Sequence, residues 1–181
     1  MSVTPIETGS EAPDFELPGV DGETYSLESF TADALVVIFT CNHCPVAQAY
    51  EDRIIALQQE YEETADVVAI NPNETDNYPE DSFEHMVERA ENEGFTFPYL
   101  RDESQDVAAA YGAECTPHAF VFDENRRLVY QGAIDDDREG ESVTERYVRD
   151  AIDAIHRDEA YPIETVSPMG CSIKWRDDAV A

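Results

Sequence analysis

The residues most able to do chemistry are the run Cys41-Asn42-His43-Cys44-Pro45. Two cysteines with two residues between them follow an apolar run, Leu35-Val36-Val37-Ile38-Phe39, and precede an amphipathic pattern, so they fall where a strand passes into a helix expected to begin near Asn42. Amides at a helix N-terminus, and the macrodipole behind them, stabilise a thiolate there. A sulfur near the first turn points outward, and a second sulfur one turn on is within disulfide reach. Pro45 is tolerated because first-turn N–H groups have no intrahelical partner. His43 puts an imidazole inside the motif, and a cationic ring favours a Cys41 thiolate; thiols in such motifs span pKa values of roughly 3.5 to 7.5. The net charge of −30 opposes another anion. A modestly lowered Cys41 pKa is the expectation.

Such a pair also serves as half of a zinc or copper(I) site, with His43 as a third ligand. A second Cys-x-x-Cys is absent and the other cysteines, Cys115 and Cys171, stand alone. Redox chemistry therefore ranks above metal binding and above inert thiols, and this reading requires neither a metal nor a cofactor. A plainer account of His43 is a solvent-facing helix residue. Cys115-Thr116-Pro117 stands directly before the apolar segment 119–122. Cys171, Lys174 and Trp175 cluster in the tail, and they include the chain's sole Lys and sole Trp. A Trp in a loose acidic tail would waste its apolar surface, so the tail (158–181) is expected to pack back, bringing Cys171 near Cys115 or the Cys-x-x-Cys as an auxiliary redox partner. Cys115, beside Thr-Pro, is expected to lie near the Cys-x-x-Cys with an auxiliary redox or ligand role. The plainer accounts are a structural tail with a buried thiol, and Cys115 as a small core residue. Asn71, Asn73 and Asn77 form a polar loop after a strand; loop polarity alone accounts for them.

The elements that must position these residues follow from periodicity. Residues 15–27 read as a hairpin around Asp21-Gly22. Segment 35–39 is a buried central strand. Val46, Tyr50, Ile54, Leu57 and Tyr61 give a helix, and 67–70 a second buried strand. Pro79 suits the first turn of a helix carrying Phe83, Met86, Val87 and Ala90 and stopped by Gly94. Tyr99-Leu100 reads as a short strand and Val107, Ala108 and Tyr111 as a short helix. Segments 119–122 and 128–130 form a terminal hairpin. A last helix is expected from Ser142, where Ser142 and Glu145 fit a capping box; from about 158 the chain reads as irregular. Alternating strands and helices with a closing hairpin imply one α/β domain over 1–181, a mixed sheet covered on both faces.

The 181 residues carry 41 acids against 11 bases, ten of them Arg. That balance excludes nucleic acid and anionic membranes, which need clustered cations. The acids are spread along the chain, as on a surface solvated in a salt-rich cytoplasm, where a Debye length of about 3 Å at 1 M screens self-repulsion. The start, Met1 to Phe15, lacks the basic and apolar regions of a signal peptide, no apolar run approaches membrane-spanning length, and the final five residues, 177–181, are not a prenylation box. A cytoplasmic protein is the expectation.

Three features together resemble the thioredoxin fold, in its redoxin branch: the hairpin running from Gly9-Ser10-Glu11-Ala12-Pro13-Asp14-Phe15 to Tyr25-Ser26-Leu27, the Cys41–Cys44 pair, and Thr116-Pro117. The chain is most similar to a peroxiredoxin-like AhpC/TSA subgroup with Thr-Cys-Asn-His-Cys-Pro and a late Gly-Cys-Ser-Ile-Lys-Trp, here Gly170 to Trp175, and the resemblance spans residues 9 to 175. It implies a thioredoxin-like α/β fold and thiol-disulfide exchange. Cys41 would attack and Cys44 resolve, leaving Cys41–Cys44 oxidised. A cis peptide before Pro117 would let the Thr116 backbone pair with an extended substrate. The implied partners are a disulfide-bearing protein or small thiol and a thioredoxin-type electron donor. Thr40 stands where thioredoxins carry Trp. The Thr-x-x-Cys of peroxidases is missing, because Ile38 and Cys41 occupy the positions three before each cysteine; a thiol peroxidase is therefore the second reading, and a copper(I) or zinc module the third.

Overall fold

A computed structural model describes residues 3–177. The hairpin is present as β1 (Glu16–Pro18) and β2 (Thr24–Ser26), paired antiparallel. β3 (Ala34–Phe39) leads into α1 (Pro45–Glu60), and β4 (Ala65–Asn71) returns parallel to it. Then come α2 (Phe83–Glu93), β5 (Tyr99–Arg101), α3 (Asp106–Tyr111), β6 (Cys115–Thr116), β7 (His118–Phe122), β8 (Leu128–Gly132) and α4 (Tyr147–His156). The tail adds β9 (Thr165–Val166) and β10 (Cys171–Ser172). The main sheet runs β5-β4-β3-β7-β8-β9, with β7 antiparallel to both β3 and β8.

All six residues of β3 are buried, because β3 is central and both sheet faces are covered. The period-2 alternation of a strand divides its side chains between two cores. Val36 and Ile38 pack with Tyr50, Ile54 and Leu57 of α1 and Val148 and Ile152 of α4. Leu35, Val37 and Phe39 pack with Phe120, Phe122, Tyr111 and the hairpin's Phe15 and Leu17. Each such side chain, fully buried, stabilises the fold by about 1.5–3 kcal/mol. Ile173 and Trp175, late in the chain, join this second core.

Three expected boundaries move, each for a physical reason. α1 begins at Pro45 and not near Asn42: a proline pushes the residue before it out of the helical region, and Cys44 is an extended N-cap (φ −76°, ψ 122°). Pro79 opens a separate single 3-10 turn, Pro79–Asp81, while Ser82 caps α2, its hydroxyl accepting from the His85 N–H. The last helix starts at Tyr147. The Asp137 and Asp136 carboxylates take the N–H groups of Ser142 (2.6 Å) and Thr144 (2.9 Å), holding that stretch as a loop in place of the expected Ser142–Glu145 capping box.

The tail is not wholly irregular. β9 extends the sheet in parallel beside β8. That pairing depends on Gly132 (φ +135°), where an added Cβ would stand 1.8 Å from the Val166 carbonyl oxygen. Residues 178–181, the end of the segment read as lacking a prenylation box, lie outside the described residues, as do residues 1–2 of the leader reading. Among the described residues no helix is long and apolar enough to cross a membrane.

Candidate active site

Cys41 lies between the end of β3 and Cys44, the N-cap of α1. It is therefore outside the first helical turn, yet the backbone N–H groups of His43 and Cys44 still point at its sulfur. Across from it, β6 ends at Thr116, and the Thr116–Pro117 peptide is cis. The Thr116 hydroxyl lies 3.2 Å from Cys41 Sγ and is hydrogen-bonded to it. The Thr116 carbonyl oxygen lies 3.7 Å from Cys44 Sγ. The Cys-x-x-Cys and Thr-Pro segments, 75 positions apart, thus meet at one point. Cys41, Cys44 and Thr116 are all essentially closed to solvent.

The bonded pair is Cys44–Cys171, across 127 positions with a Cα–Cα distance of 6.3 Å, while Cys41 is a free thiol. Cys171 thus reaches the motif. Cys115 is not part of the cluster that holds Cys41, Cys44 and Cys171. It is a buried free thiol 3.7 Å from the Pro117 carbonyl oxygen, pushed up to about 12 by burial and then by Glu114. In this arrangement it is a core residue.

The expected lowering of the Cys41 pKa is corrected. Burial pushes the thiol up to about 11, the Asp81 carboxylate pushes the same way, and the Thr116 hydroxyl and two backbone N–H groups offset only part of this. With Cys44–Cys171 closed, Cys41 is therefore held as a neutral thiol near pH 7.

Asp81, from the 3-10 turn after Pro79, escaped the sequence reading. It is fully buried and accepts four hydrogen bonds: the Asn42 N–H (2.6 Å), Asn71 Nδ2 (3.2 Å), Asn73 Nδ2 (3.0 Å) and His43 Nδ1. One aspartate among 41 acidic residues gave no signal. The two asparagines did, and their loop setting concealed it: Asn71 and Asn73 are fully buried donors and not solvated loop residues. Tyr99 completes the set, donating to Asn42 Oδ1 at 2.7 Å. His43 stacks on Tyr78 with ring centroids 5.2 Å apart, so its orientation is fixed from two sides, unlike that of a freely solvated helix residue.

The metal alternative required Cys41, Cys44 and His43. The Cys44–Cys171 bond takes Cys44 out of that set, and Asp81 takes its place: single donor atoms of Cys41, His43 and Asp81 lie within 4.8 Å of one another. Both Asp81 oxygens already accept two hydrogen bonds each, so a cation there would have to displace buried donors at a cost of about 1–3 kcal/mol each. The donor set suits orientation of the motif better than coordination.

The AhpC/TSA family profile matches residues 8–131. A crystal structure of an uncharacterized conserved protein from Geobacillus kaustophilus superposes with a TM-score of 0.91 at 40% identity, covering 98% of this chain and 96% of that one. The thiol-disulfide oxidoreductase ResA of Geobacillus thermodenitrificans is 27% identical over 128 residues, 69% of this chain and 68% of that protein. The thioredoxin-like protein YneN of Bacillus subtilis is 29% identical over 119 residues, 66% of this chain and 67% of its own length.

Proposed function

The chain belongs to the AhpC/TSA family, and from that premise we propose that it is a thiol-disulfide oxidoreductase working through Cys41 and Cys44. The observation that carries the reading is the approach of the Cys41 sulfur to Thr116, the residue before the cis bond. The Cys41 thiolate attacks one sulfur of a substrate disulfide, and the other substrate sulfur leaves as a thiol. Cys44 then attacks the Cys41 sulfur of the mixed disulfide. The substrate departs fully reduced, and Cys41–Cys44 is oxidised. Thr116 and the N–H groups of His43 and Cys44 stabilise the Cys41 thiolate during attack, and Asp81 orients His43 and the Asn42 backbone around it. The Thr116 backbone offers the edge on which an extended substrate segment pairs.

The partners in this reading are a disulfide-bearing protein or a small disulfide, together with a dithiol donor of the thioredoxin type. A chain with 41 acids and 11 bases suits work in a salt-rich cytoplasm. Ile38 in place of the peroxidase Thr keeps peroxide reduction second.

Insulin-disulfide reduction tests the assignment. Cys41→Ser is expected to abolish turnover. Cys44→Ser combined with Cys171→Ser, which leaves no nearby resolving thiol, is expected to accumulate a mixed disulfide on Cys41 that dithiothreitol releases. Normal turnover by the Cys41→Ser, Cys44→Ser double variant would overturn it.

A further inference from the structure

The edge on which a substrate would pair is occupied by the chain's own tail. β10 runs antiparallel to β6, with Cys171 opposite Thr116 and Ser172 opposite Cys115. Gly170 makes the approach possible, because a Cβ there would stand 2.1 Å from the Thr116 carbonyl oxygen. Cys171 packs with Cys41, Cys44 and Ala47 and is bonded to Cys44. Just beyond it the tail is fastened. The Lys174 N–H donates to Asn73 Oδ1 (2.9 Å), the Lys174 carbonyl accepts from the Glu74 N–H (2.9 Å) and from Gln105 Nε2 (2.8 Å), and the Arg176 N–H donates to Gln105 Oε1 (2.9 Å). The tail residues themselves, 170–176, lie beyond residue 131, where the family match ends.

We propose that residues 170–173 act as an internal substrate and that Cys171 is a third redox cysteine, which takes over the disulfide after each turnover. The proposal rests on the oxidoreductase reading. Once Cys41–Cys44 has formed, the Cys171 thiol loses its proton to solvent and its thiolate attacks Cys44 Sγ. The Cys44–Cys171 bond forms and the Cys41–Cys44 bond breaks. Cys41 leaves as a thiolate, gains a proton and returns to its hydrogen bond with Thr116. Cys171 is oxidised and Cys41 reduced, with no external electron acceptor. The anchors at 174–176 hold Cys171 beside the motif, so the exchange is intramolecular and runs at the millimolar or higher effective concentration of a short tether. In the closed form Cys44 cannot resolve and the Thr116 edge cannot receive a substrate. The resting oxidised enzyme is therefore shut until a dithiol donor opens Cys44–Cys171.

The test is non-reducing peptide mapping of the full chain, acid-quenched with its thiols blocked after one equivalent of insulin disulfide has been consumed. Wild type is expected to carry mainly Cys44–Cys171. Gly170→Ala keeps all three cysteines and is expected to shift the ratio at least tenfold toward Cys41–Cys44, while Cys171→Ser yields Cys41–Cys44 alone. A circular dichroism melt of each variant reports whether it is folded. A wild type that reduces insulin but maps only to Cys41–Cys44, or a folded Gly170→Ala that keeps the wild-type ratio, overturns the tail's role and leaves the oxidoreductase reading standing. A wild type that forms Cys44–Cys171 with diamide yet reduces no protein disulfide overturns the oxidoreductase reading, and this proposal with it.

Discussion

Replacing Asp81 with Asn tests the electrostatics around Cys41. The carboxylate lies within 4.8 Å of the sulfur. At an effective dielectric of about 20, two unit charges at that distance repel by about 3.5 kcal/mol, a ceiling equivalent to about 2.5 pH units. Burial contributes more than Asp81 to the rise from 9.0 to about 11, and three hydrogen bonds oppose it. The share that Asp81→Asn removes is therefore about 1–2 pH units. The thiolate fraction near pH 8 would rise about 10- to 100-fold. A less basic thiolate is also a weaker nucleophile, with a Brønsted slope of about 0.4–0.5, so the net rate gain is about 3- to 10-fold. The assay is the initial rate of Cys41 with 4,4′-dithiodipyridine, an uncharged disulfide, on protein with Cys44–Cys171 closed and the modified residue identified by peptide mapping. Asn cannot accept from all four donors, and the variant should lose about 2–5 kcal/mol of stability. Cys115 is the control. Its sulfur lies against the Pro117 carbonyl oxygen and makes no hydrogen bond to this network, so its slow reaction should be unchanged as long as the fold holds. An unchanged or slower Cys41 rate with Cys115 still protected would refute the electrostatic account.

Two further outcomes follow from other buried or exposed groups. His118 is fully buried, accepts from the Glu114 N–H at Nδ1 and donates from Nε2 to Gln131, and burial lowers its pKa from 6.5 to about 4. Between those values the unfolded chain binds the proton and the folded chain does not, so stability falls as pH drops below about 6.5; about 2 kcal/mol should be lost by pH 5, measured by urea unfolding, and His118→Leu should remove that part of the slope. Lowering potassium chloride from about 1 M to 0.1 M lengthens the Debye length from about 3 to 10 Å and should lower the midpoint of thermal unfolding of this −30 chain; an equal midpoint at both salts would count against surface self-repulsion.

Much of the frame was legible along the chain because it follows from short-range pattern. The apolar run 35–39 is a central strand because no face of it is left to solvent, and Thr24 to Ser26 pairs back across Asp21-Gly22 within a few residues. Even the start of α1 was available from Pro45, whose ring excludes Cys44 from the helix, although the residues before it were read as helical. The loop over 135–145 was not. Ser142 and Glu145 have a capping spacing, but Asp137 takes the Ser142 N–H that such a box would use, and Asp136 takes the N–H of Thr144.

The sequence by itself determined which atoms are available: a Cys-x-x-Cys at a strand–helix junction, a Thr-Pro before a strand, and a late cysteine four residues before the lone Trp. Only the tertiary structure decided which sulfurs are joined, which carboxylate among 41 acids is buried against the thiol, and whether that thiol is held neutral. The physical reason is that bonding and desolvation depend on distance in space. Residues 44 and 171, or 41 and 81, become neighbours only when strand pairing and two packed cores bring their segments together, and no local pattern encodes that meeting.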